Sequence, residues 1–112
     1  MIVDRHAVLE RIENDQELYD EICGIFRDDV KKIMKHLKEA SEGGDIPVAA
    51  RHAHSLVSAA ANIGATDLSE TARSAENALR SGDPEKIPLL ISEIEIKLSY
   101  VLEELELFSQ GR

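Results

Sequence analysis

Apolar side chains recur along this chain at intervals of three and four residues rather than two, and Gly and Pro gather between the apolar runs. That spacing is the mark of helices buried along one face. The longest stripe is Leu18, Ile22, Ile25, Phe26, Val30, Ile33, Met34 and Leu37, reaching about Ala40 before Gly43-Gly44. Another follows Asp83-Pro84 and comprises Ile87, Leu90, Ile91, Ile94, Leu98, Val101, Leu102 and Leu105. Between them, Asp45 and Pro47 open a helix that stops near Gly64. The next carries Leu68, Ala72, Ala75 and Leu79 to Ser81-Gly82, with Thr66 or Asp67 as its expected cap and Glu70 placed to reach back. A short leading helix is expected from Asp4 to about Ile12, after which Asn14-Asp15 breaks it and caps its successor. Four substantial amphipathic helices joined by loops of about two to five residues pack as antiparallel neighbours. The expected fold is therefore all-α: an up-down antiparallel four-helix bundle with a short additional N-terminal helix, forming one domain over residues 1–112.

Bulk composition narrows the chemistry. A chain of 112 residues is expected to build one core, with no room beside it for an ATP-binding catalytic domain. With 43% hydrophobic and 31% charged residues, no apolar run long enough to span a bilayer and no signal-peptide layout, the expected compartment is the cytoplasm. The net charge of −9 argues against nucleic acid or an anionic membrane as partner, because both are bound by Lys and Arg neutralising phosphates. Cys23 is the single cysteine and reads as a small apolar residue on a helix.

The charge is unevenly distributed. No Asp or Glu occurs between Asp45 and Asp67, and Arg51 is the one charged residue in that segment. A stretch free of carboxylates suits either a buried helix or a site that meets an acidic group. His54 lies in its middle. At 100° per residue, Ala50, Arg51, Val57, Ser58 and Ala61 fall within about 60° of His54, whereas Ala49, Leu56, Ala59 and Ile63 fall opposite and form the core stripe. His54 is thereby expected to project from the bundle, and His52, about 160° away, to point toward the core. Two residues apart on a helix, these histidines cannot chelate a metal together. His6 and His36 stand in charged helical surroundings and read as solvated surface residues.

The run from Ala53 to Gly64, centred on Ala-His-Ser-Leu and Ala-Asn-Ile-Gly-Ala, resembles the signature of histidine phosphotransfer (HPt) domains: His-x-x-Lys-Gly, followed six residues later by Gly. His54 and Gly64 fall on the pattern, while Val57 and Ser58 stand where the family has Lys and Gly. The resemblance covers nearly the whole chain and implies a carrier rather than an enzyme. His54 would be the phosphoacceptor, taking the group from an aspartyl phosphate on a receiver domain and passing it to another receiver. The implied partners are a response-regulator receiver, a hybrid sensor histidine kinase, or both, with Mg²⁺ supplied by the receiver, no cofactor or metal bound by this domain, and the domain itself a monomer. Arg51, one turn before His54, is expected to replace the missing Lys, and Ser58 to donate a hydrogen bond while keeping the site open. Ala50, Val57 and Ala61 are the expected docking surface, and Gly64 the helix C-cap. A bundle that docks a receiver or kinase without being phosphorylated is the alternative, favoured by Val57. A purely structural bundle is a third reading, opposed by the lack of a sustained heptad.

Overall fold

The computed structural model describes residues 2–110, and its element order is α1 (Arg5–Arg11), α2 (Gln16–Glu42), α3 (Ile46–Asn62), α4 (Thr66–Ser81) and α5 (Ile87–Gln110), with a 3₁₀ turn at Pro84–Lys86 before α5. Three of the expected caps form. Asp4 accepts from the Ala7 amide at 3.1 Å and Asp15 from that of Leu18 at 3.0 Å. Asp45 accepts from Val48 at 3.4 Å.

The cap expected for α4 does not form. Ala65 occupies the N-cap and offers no side-chain bond. The reversal after Gly64 is tight, with the Ala65 amide bonded to the Ala60 carbonyl at 2.9 Å, so the helix starts a residue earlier than a Thr66 cap would permit. Asp67 instead binds Lys97 of α5 at 3.0 Å, inside the first turn of α4. The last helix is likewise entered through the 3₁₀ turn rather than by an Asp83 side-chain cap.

Gly44, Gly64 and Gly82 adopt φ of +76°, +88° and +73°, the left-handed geometry that ends α2, α3 and α4. Gly64 carries a second constraint. A Cβ there would lie 2.5 Å from the Asp4 carbonyl oxygen, because the start of α1 is laid on this turn and the Asp4 amide bonds the Gly64 carbonyl at 2.9 Å. The buried Tyr19 hydroxyl donates to the neighbouring Ile63 carbonyl at 3.1 Å.

Helices α2, α3, α4 and α5 form a closed ring in which α3 packs between α2 and α4, and α5 between α4 and α2. The body measures 43 × 22 × 20 Å, its long axis set by the 27-residue α2, about 40 Å of helix. The core is filled by Tyr19, Val30, Leu37, Leu56, Ile63, Leu68, Ile94 and Val101. Contact between α3 and α4 is closer, because Ala49, Ala50, Ala53, Ala60, Ala72 and Ala75 are all buried and present only methyl groups. Ser69 of α4 donates to the Val57 carbonyl of α3 at 2.9 Å and so fixes the register between the two helices. Among the described residues no helix is long and apolar enough to cross a membrane.

Candidate functional site

His54 stands in the middle of α3 with its side chain 60% exposed, as the helical wheel requires. Its Nδ1 is 3.1 Å from Oε1 of Glu76 on α4, and the other carboxylate oxygen of Glu76 accepts from Nε of Arg80 at 3.0 Å. The three side chains form a chain of hydrogen bonds across the α3–α4 seam. Burial disfavours charge on Glu76, but the bonds from His54 and Arg80 and their positive charge outweigh it and hold the carboxyl below its ordinary value. An ionised carboxylate can only accept, so when the ring is neutral its one proton is assigned to Nδ1. Nε2 is then the nitrogen with a free lone pair, on an exposed ring whose orientation is fixed from behind.

The carboxylate-free stretch of sequence is therefore not a carboxylate-free site, since α4 delivers Glu76 to the histidine. The signal was present. Glu76 sits between Ala72, Ala75 and Leu79, a charged residue inside an otherwise apolar stripe.

The remaining expected site residues divide. Arg51 and Ser58 are exposed on the same helix as His54, and Arg51 has no ion-pair partner among the described residues. Ala61 is exposed as well. Ala50 and Val57, expected on the docking surface, are 1% and 4% exposed and belong to the core. The wheel placed the core directly opposite His54, but α3 has neighbours on two sides and α4 covers the flank that carries Ala50 and Val57. The open surface around His54 lies on the other flank, toward α2: Arg51, Ser55 and Ser58, then a groove lined by Ile22, Ile25, Asp29, Ala59 and Asn62. Gly64 follows the C-cap residue Ile63 and turns the chain out of α3 in the left-handed conformation.

His52 is half-buried against α2, its ring centroid 5.1 Å from that of His36 and tilted by 45°. Burial, then the facing His36 and neighbouring Arg51, lower its pKa. His36 is exposed but not isolated, and His6 pairs with Glu10 on the surface at 3.0 Å. Cys23 is buried beside Tyr19, and burial pushes its thiol pKa up.

Fold and site together define a histidine-presenting helical bundle. The chain belongs to the Hpt domain family, whose model matches residues 21–107. Members of that family are phosphotransfer modules of two-component phosphorelays, carriers rather than enzymes in their own right, and they interact with receiver domains and histidine kinases. The fold is similar to that of histidine-containing phosphotransfer protein B (HptB) from Pseudomonas aeruginosa PAO1, with a TM-score of 0.91 and 22% identity over 99% of this chain and 96% of that one. No curated protein matches the chain in sequence.

Proposed function

We propose that this domain accepts a phosphoryl group on Nε2 of His54 from the aspartyl phosphate of a receiver domain and passes it to a second receiver. The observation that carries the reading is the 3.1 Å contact from His54 Nδ1 to the ionised Glu76, made by a ring that is otherwise open to solvent. In the forward step the Nε2 lone pair attacks phosphorus as the bond to the aspartyl oxygen breaks, and the bonding electrons return to the receiver's carboxylate. The imidazolium so formed keeps its proton on Nδ1 and donates it in a hydrogen bond to Glu76, whose negative charge stabilises the ring. The reverse step restores the neutral ring. A Mg²⁺ ion held by the receiver would neutralise the phosphoryl oxygens there, with no metal bound by this domain.

This domain contributes orientation and a docking face. Arg51, exposed on α3 one turn before His54, would meet phosphoryl charge with a planar donor set, a role left vacant by Val57. Ser58 and Ala61 permit close approach, and Ile22, Ile25 and Ala59 supply apolar contacts on the α2 side. The test is to incubate the protein with a phosphorylated receiver. Label should appear on His54, stable to alkali and lost in acid, as a phosphoramidate is. An unlabelled protein that still binds the receiver would instead be an adaptor.

A further inference from the structure

Helix α5 is apolar on both sides. Its inner face fills the core, yet Leu89, Ile96, Tyr100 and Leu107 are each more than half exposed. These four lie within about 40° of one another around the helix and run for about 27 Å along it, at intervals of seven, four and seven. That is the spacing of a helix–helix seam, and a row of exposed large apolar residues on an otherwise charged surface marks an interaction site. Two positions of the same seam are acidic. Glu93 and Glu103 fall on the stripe and have no ion-pair partner among the described residues, while the cations nearest in sequence are committed elsewhere: Lys97 to Asp67 and Thr71, Lys86 to Asp83.

The carboxylates decide what can cover the stripe. Turned end for end about Leu98, the stripe maps Leu89 onto Leu107, Ile96 onto Tyr100, and Glu93 onto Glu103. A second copy docked antiparallel would thus match every apolar residue but oppose Glu93 to Glu103 twice, and a parallel copy would oppose each Glu to itself. Both symmetric pairings place like charges in a partly desolvated seam, between molecules of net charge −9. We infer that the outward face of α5 is a docking site for an amphipathic helix of another protein, one whose apolar stripe is flanked by Lys or Arg. Because α5 lies across the bundle from α3, with α2 and α4 between them, such a helix would sit away from His54.

Two synthetic helical peptides with the same Leu heptads, one with Lys and one with Glu at the flanking positions, test this against the full chain. Backbone amide NMR should show the Lys peptide binding saturably, with shifts clustered on Leu89, Ile96, Tyr100 and Leu107, and about tenfold or more tighter than the Glu peptide. The double substitution Glu93→Lys, Glu103→Lys should reverse that order. Ile96→Ser with Tyr100→Ser should weaken the Lys peptide while leaving the melting temperature nearly unchanged, since both side chains are exposed. The proposal is overturned if neither peptide binds, if both bind equally, if the shifts fall on α3, or if the protein sediments as a dimer at neutral pH.

Discussion

Replacing Glu76 by Gln tests the orientation of His54 with the least disturbance of shape. The amide oxygen can still accept from Nδ1, but the charge is gone and Arg80 loses its carboxylate partner. A hydrogen bond to a charged group contributes about 1.5–3 kcal/mol against about 1 for a neutral one. His54 is 60% exposed, so solvent screening reduces the difference to about 1 kcal/mol, a factor of about five. Free imidazole prefers its proton on the other nitrogen, Nε2, so losing the carboxylate moves the tautomer balance toward the form in which the nucleophilic lone pair is blocked. Nitrogen-15 spectra of the imidazole, taken where the ring is neutral, should show Nε2 predominantly unprotonated in the wild type and a substantial Nε2–H population in Glu76→Gln. Phosphotransfer from a labelled receiver should slow by about fivefold. An unchanged tautomer ratio with an unchanged rate would show that the Glu76 contact does not set the reactive nitrogen.

Acid should expose the same contact. The Glu76 carboxyl is held below its ordinary value of 4.5, so its contribution to stability is complete above that pH and disappears as the pH falls through the lower folded-state value; denaturant melts of wild type and Glu76→Gln should differ at neutral pH and converge at the acid end. Gly64→Ala combines a positive φ with a methyl 2.5 Å from the Asp4 oxygen and should lower stability by about 3 kcal/mol, whereas Gly82→Ala, equally left-handed but in open space, should cost about 1 kcal/mol by thermal or chemical denaturation. Val57→Lys, which restores the family residue, should destabilise by about 2 kcal/mol or more because the site is 4% exposed, while the exposed Arg51→Ala should leave stability alone and shorten the lifetime of the phosphorylated protein several-fold, read by acid-labile label over time.

The helices could be read from the chain because each break carries its own local chemistry: Asp4, Asp15 and Asp45 at the starts, Gly44, Gly64 and Gly82 at the ends. The exposure of His54 was legible for the same reason, since a helical wheel is a local construction. What depends on two helices at once was not. Ala50 and Val57 were assigned to the surface by symmetry about His54, yet α4 covers that flank. Glu76 lies 22 residues from His54, and the meeting of the two follows from the α3–α4 register that Ser69 and the alanine contacts set. The exposed stripe on α5 was hidden by a different effect. Leu89, Ile96, Tyr100 and Leu107 fall outside the expected core stripe, but whether a neighbouring helix covers them depends on the packing, which leaves the inner face of α5 complete without them.

The most direct measurement is the fate of radiolabelled phosphoryl group from a phosphorylated receiver in wild type, His54→Gln and His52→Gln. The wild type and His52→Gln should take up acid-labile, alkali-stable label, and His54→Gln should take up none while keeping its helical circular dichroism, because the lost ring is exposed and outside the core. Label that survives in His54→Gln and vanishes in His52→Gln, or a wild type that binds the receiver and never acquires label, would contradict the assignment of His54 as the phosphoryl carrier.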